Sequence, residues 1–243
     1  MGQWSIYKGK DEREKILKID MIESLYLAKL GFKFFDKNGK ELKFEKMVRI
    51  VKRKIPEVED LLDVYEDWRE KGYILKTGFK FGAHFRIYFP GASPYKKGKE
   101  WIHSKHVLHV FPKNVKMRMS EWARAVRVAH SVRKTFIMGI PKMKKEDYLH
   151  EKAPINFFAY HRKGNEIEKP NNASPSFLVM ALSEDEELSG KVLASALDRA
   201  DELGLRLLLA ISDRESSVTY YLAKRIELPN SRNKYYEIEW FNP

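Results

Sequence analysis

The chain has 243 residues, 43% hydrophobic and 13% aromatic, with 46 Lys/Arg against 34 Asp/Glu and no cysteine. That is enough apolar material for a packed core, and no run approaches the roughly 18 apolar residues that a membrane span needs. The lack of cysteine excludes disulfides, thiolate zinc sites and cysteine nucleophiles and fits a cytoplasmic protein, while "MGQWSIYKGKDEREK" lacks the apolar stretch of a secretory signal.

In chain order, "MIESLYLAKLG" has apolar residues at Met21, Ile22, Leu25, Leu27, Ala28 and Leu30 and reads as a helix, with Gly31 as its stop. Asn38-Gly39 marks a turn between short extended runs in "FKFFDKNGKELKF". Residues 56–72 start with proline, end with glycine and place acids early, all of which suit a helix. "YILKTGFKFGAHFRIYFPG" and "HVLHVF" read as strands. "SEWARAVRVAHSVRK" predicts a helix with Ser120 as N-cap and an apolar stripe of Trp122, Ala125, Val126, Ala129 and Val132. "TFIMGIP" follows as a buried strand.

After the charged connector "KMKKEDYLHEK" the pattern restarts. "INFFAYHRKG", "SFLVMAL", "GKVLASALDRADELG" and "LRLLLAIS" repeat strand, strand, helix, strand at an offset of about seventy residues, and two further strands follow in "SVTYYLAKRIEL" and "KYYEIEWF". The expected fold class is α+β: an α/β N-terminal domain over 1–76, a strand–strand–helix–strand unit over 77–142, a charged linker over 143–153 and a second, longer copy over 154–243.

The net charge of +12 is concentrated. Residues 77–142 hold 14 Lys/Arg and only Glu100 and Glu121 as acids, whereas 143–243 hold 14 Lys/Arg and 17 acids. Basic charge gathered on one segment is the footprint of a polyanion partner. A basic surface without a partner is the weaker reading, since solubility does not require 66 consecutive positions nearly free of carboxylates. On a helix, Arg124, Arg127, His130 and Lys134 gather opposite the apolar stripe. The helix of the second copy instead carries Asp198, Asp201 and Glu202.

His103, His106 and His109 lie three apart in "HSKHVLH". Strand alternation separates them, and no carboxylate is near to complete a shell, so no metal site is expected. His106 and His109 read as ordinary core or surface residues.

"GFKFGAHFRIYFPG", "HSKHVLHVFP" and "RVAHSVRK" resemble, in order and spacing, the archaeal tRNA-splicing endonuclease family. The resemblance extends over residues 1–140, and residues 154–228 resemble a degenerate second catalytic domain. It implies a catalytic trio of Tyr88, His103 and Lys134, and RNA cleavage without metal or other cofactor. In that reaction a 2′-hydroxyl attacks the adjacent phosphate, leaving a 2′,3′-cyclic phosphate and a 5′-hydroxyl. The residue types suit that chemistry. A histidine with a pKa of about 6.5 can act as general acid, and a lysine can stabilise a phosphorane. A tyrosine of pKa about 10 needs a basic surround to serve as base.

The resemblance also implies the substrate, a bulge–helix–bulge exon–intron junction in precursor tRNA. Arg127 matches a base-gripping arginine, with Arg124, Arg133 and the "YKKGK" loop as candidates for phosphate contact; that loop reads equally as a plain solvated loop. In the second copy Tyr160 remains, but the histidine and lysine positions fall on Ser174 and Leu205, which predicts a catalytically dead copy. Asp213 and Glu215 match an acidic loop that inserts into a basic cleft of a catalytic unit, implying a homodimer of four units with two active sites. Two alternatives stay open: a non-catalytic module that binds structured nucleic acid, and a subunit that needs a catalytic partner.

Overall fold

The computed structural model describes residues 3–5, 16–92, 103–163 and 165–242. A short antiparallel pair, β1 (Gln3–Ser5) and β2 (Ile16–Lys18), precedes three helices: α1 (Met21–Lys29), α2 (Phe44–Lys52) and α3 (Val58–Glu70). Asp20 caps α1 by accepting from the Ile22 N–H at 2.9 Å. The Asn38-Gly39 turn is present, with Gly39 at φ +77°. The extended reading through Phe44 fails, because α2 begins there.

The remaining strands are β3 (Ile74–Thr77), β4 (Phe85–Tyr88), β5 (His106–Val110), β6 (Met117–Arg118), β7 (Thr135–Ile140), β8 (Ile155–Ala159), β9 (Arg162–Lys163) and β10 (Glu166–Ile167). They continue with β11 (Phe177–Ser183), β12 (Glu187–Leu188), β13 (Arg206–Ser212), β14 (Val218–Ile226) and β15 (Lys234–Phe241). Helix α4 (Met119–Ser131) joins β6 to β7, and α5 (Gly190–Glu202) joins β12 to β13. Nine strands form one mixed sheet in the order β3-β4-β5-β7-β15-β14-β13-β11-β8. Its two parallel pairs, β5–β7 and β11–β13, are the ones bridged by α4 and α5, as parallel neighbours require.

β11, α5 and β13 each begin 71 residues after β5, α4 and β7. The two halves also cap one another. The α4 donors Met119 N–H and Ser120 N–H reach the carbonyls of Glu186 and Glu184 at 2.9 and 2.8 Å. Reciprocally, Gly190 N–H and Lys191 N–H of α5 reach Pro112 O and Lys113 O at 2.7 and 3.2 Å. These are helix-end donors that need partners when buried. A Cβ at Gly190 would stand 2.4 Å from the Pro112 carbonyl, so only glycine fits. Between these contacts β6 pairs with β12.

Both α4 and α5 lie on one face of the sheet, over Val107, Phe136, Met138, Met180, Leu209, Tyr221 and Tyr236. On the other face, Leu108, Val110, Ile137 and Tyr235 pack against α3 and its neighbours. The buried Asp67 of α3 ties this layer to the last strand by accepting from Tyr235 OH at 2.8 Å and Asn233 Nδ2 at 3.1 Å. Among the described residues no helix is long and apolar enough to cross a membrane.

Candidate active site

β4 runs antiparallel to β5, and β5 parallel to β7. The C-terminal end of β4 and the N-terminal ends of β5 and β7 therefore meet at one end of the sheet. Tyr88 is the last residue of β4, His103 lies three residues ahead of β5, and Lys134 immediately precedes β7. Strand alternation turns Phe85 and Ile87 into the α3 core and leaves Arg86 and Tyr88 on the α4 face, where Arg86 stands opposite Val107.

Contacts run from Lys134 through Phe81 and Arg86 to Tyr88. Lys134 Nζ donates to the Ser104 carbonyl and, at 3.1 Å, to Ser104 Oγ. Ser104 is buried, and its neighbour His103 is exposed. Lys134 Nζ also stands 5.4 Å from the Phe81 ring centre. The Arg86 guanidinium lies 5.9 Å from that ring and 6.0 Å from the Tyr88 ring, and Lys76 Nζ lies 5.9 Å from Tyr88. Arg86 Nε is fixed by Thr77 O at 2.9 Å. Burial, and then the Arg86 charge, draw the Lys134 ammonium below its ordinary pKa. Three cations thus surround an aromatic pair at the mouth of the site. Lys76, Phe81, Arg86 and Ser104 were missed in the sequence. Alternation from Tyr88 points to Arg86, and the β3–β4 register pairs Arg86 with Lys76.

The helix end departs from expectation. Lys134 is not on α4 but just past it. Arg133 takes a left-handed φ of +54°, its N–H reaches His130 O, and Lys134 N–H reaches Ala129 O, both at 2.9 Å. This turn swings Lys134 toward Ser104. Val132 is 46% exposed and is not part of the packed stripe, which runs Met119, Trp122, Ala123, Ala125, Val126, Ala129. Ser120 is not the N-cap, because Arg118 holds that position and the carbonyls of the opposite half take its role.

Arg124, Arg127 and Arg133 are exposed, and Arg127 Nη1 donates to Tyr221 OH at 3.3 Å. His130 Nε2 donates to Ile238 O at 3.2 Å, a structural role tying α4 to β15.

His106 stands 5.6 Å from the Phe89 ring, and His109 is stacked 5.9 Å from Phe136. His109 is buried, with Nδ1 donating to Gly82 O at 3.2 Å, and its pKa is lowered to about 4 by burial, with the Gly82 bond opposing. Its ring stands 4.4 Å from that of His84. Burial, and then His109, hold His84 well below the ordinary histidine value. His84 Nδ1 accepts from Val110 N–H at 3.0 Å. His106 is also lowered, by burial first and then by Lys105 and Lys134.

In the second half, the element equivalent to α4 ends in Gly204 at φ +66°, followed by Leu205, which packs against the core. Ser174 is exposed ahead of β11, and Tyr160 follows β8. Asp213 Oδ1 accepts from Glu215 N–H and Ser217 N–H, both at 2.9 Å, so it shapes the β13–β14 turn. Glu215 is exposed, and Arg214 is drawn back to Asp185 at 3.0 Å. The "YKKGK" loop lies outside the described residues. Among the described residues, no three histidine or carboxylate side chains gather as a metal site.

The model for the catalytic C-terminal domain of tRNA intron endonucleases matches residues 58–149. The chain is 36% identical to a tRNA-splicing endonuclease of Thermococcus onnurineus over 125 residues, 51% of this chain and 68% of that protein. It is 36% identical to one of Sulfurisphaera tokodaii over 133 residues, covering 55% and 70%. A third, from Saccharolobus islandicus, is 36% identical over 144 residues, covering 58% and 75%.

Proposed function

This chain belongs to the tRNA-splicing endonuclease family, and on that premise we propose that it cuts precursor tRNA at bulge–helix–bulge exon–intron junctions, leaving 2′,3′-cyclic phosphate and 5′-hydroxyl ends without a metal ion. It is a tRNA-intron endonuclease; the junction, the products and the roles below are our reading.

Tyr88 accepts the proton of the 2′-hydroxyl, and the freed oxygen attacks the adjacent phosphorus. Charge then accumulates on the non-bridging oxygens of the pentacoordinate phosphorane, where the Lys134 ammonium stabilises it. His103 donates a proton to the departing 5′-oxygen. One proton leaves and one arrives, so the step balances. The observation that carries this reading is the anchoring of Lys134 on Ser104, beside His103, at the sheet end where Tyr88 stands among Lys76 and Arg86. Arg124 and Arg133 position the duplex through phosphates, and Arg127 grips an unstacked base.

We read the 71-residue recurrence as two copies of one unit, over 77–142 and 154–243, joined by 143–153 and preceded by a domain over 1–76. The second copy is inactive, with Ser174 and Leu205 where acid and cation would stand. Its Asp213–Ser217 turn presents Glu215 to the basic cleft of a second chain, giving a homodimer with two sites.

The test is incubation of the purified protein with a bulge–helix–bulge RNA in EDTA, with its mass in solution measured in parallel. Metal-free cleavage by a dimer is expected. Absence of cleavage would overturn the mechanism, and a His103→Ala variant cutting at the wild-type rate would overturn the site.

A further inference from the structure

β15 is longer than its partner. Its register with β7 ends at Ile238–Phe136, yet the strand runs on through Glu239, Trp240 and Phe241. On its other side it stays paired with β14, with Trp240 opposite Tyr221. Trp240 therefore stands on rigid sheet, beside the segment that carries Lys134. The side chain is 55% exposed. It lines a cleft of about 470 Å³ with His130, Arg133, Lys134, Glu237 and Glu239, a size that accommodates a planar ligand. The bond from His130 Nε2 to Ile238 O clamps the β15 end to α4 and fixes the cleft wall.

The mixture of groups is informative. Arg133 and Lys134 would attract a phosphate, but Glu237 and Glu239 would repel one. Strand alternation turns Glu237 and Glu239, paired with Lys224 and Leu222, to the face opposite Ile238 and Trp240. A flat aromatic surface with cations beside it suits a nucleobase with its phosphate at the cationic end.

We propose that this cleft holds an unstacked nucleobase flanking the scissile phosphate, stacked on Trp240, with its phosphate toward Arg133 and Lys134. The inference rests on the reading of Lys134 as the group beside the scissile phosphate.

The probe is a bulge–helix–bulge RNA made uncleavable by a 2′-deoxy nucleotide at the cut, with binding read at equilibrium. Trp240→Ala should weaken binding on the order of 10- to 100-fold, the range for one base stacked on an aromatic ring. Trp240→Phe should keep most of it. Trp240→Leu retains the apolar bulk but no π face, so it should fold as wild type and bind as Trp240→Ala does. An abasic nucleotide beside the cut should cost wild type the same amount and Trp240→Ala nothing further, the non-additivity of touching partners. Wild-type binding by Trp240→Leu, or additive losses from Trp240→Ala and the abasic site, would overturn the subsite. His103→Ala, which should bind this RNA normally, tests the catalytic reading separately. Should that variant cut normal RNA, the catalytic site falls while the binding results still decide the subsite.

Discussion

At the end of α4, Arg133 takes φ +54° and Lys134 N–H closes on Ala129 O; at the end of α5, Gly204 takes φ +66° and Leu205 N–H closes on Ala200 O, each bond 2.9 Å. The backbone solution is shared and the side chains are not. Glycine enters the left-handed region without penalty, while another residue there costs roughly 1–2 kcal/mol. The first half accepts that strain and gains a cation at the helix end and a lysine aimed at Ser104. The second half relaxes to glycine and buries leucine. The same contrast recurs in the core, where the buried His109 of β5 has as its equivalent, 71 residues on, the fully buried Met180 of β11. One half has kept costly polar groups, and the other has settled for stability.

The sharpest way to break this contrast is to disarm each half. His103→Ala or Lys134→Ala should lower kcat by about 10²- to 10⁴-fold, whereas Tyr160→Phe should leave it unchanged. Single-turnover cleavage assays measure all three, and a large loss from Tyr160→Phe would mean that the second half is not inert.

The next largest effect concerns acid. His109 ionises near pH 4 in the folded protein, against an ordinary value of 6.5. The unfolded chain therefore binds more protons between those values, and stability is lost as pH falls through that window. Each unit of depression is worth about 1.4 kcal/mol, so the loss from this group is on the order of 3 kcal/mol. His109→Met, which copies the second half, should flatten this acid limb. Urea midpoints at pH 7 and pH 5 read it directly, and an unchanged limb would remove His109 as its source.

The smallest effect sharpens the comparison at its origin. Arg133→Gly should stabilise the fold by about 1 kcal/mol, raising Tm by roughly 2–4 °C, and should weaken RNA binding at low salt. Calorimetry and a salt titration separate the two consequences.

The strands and both crossover helices were legible because their apolar periods are strong, and the recurrence followed from them. Helix α2 was hidden by the preceding Asn38-Gly39 turn, which suggested a hairpin continuing through Phe44. The α4 cap was misread because Ser120 is the best local candidate, while the true partners, Glu184 and Glu186, are more than sixty residues away. The candidate residues could be named as types in blocks, but the capture of Lys134 by Ser104 depends on β5 and β7 being parallel neighbours. The position of Trp240 depends on β15 entering the middle of the sheet. No local pattern encodes strand order.

That insertion of β15 between β7 and β14 also sets a timetable. Phe136 meets Ile238 across a separation of 102 residues, so the strand that follows Lys134 lacks its second neighbour until the ribosome has made that much more chain. At about 5–20 residues per second, the wait is roughly 5–20 seconds. The sheet of the first half thus stays one strand short until the chain is nearly finished.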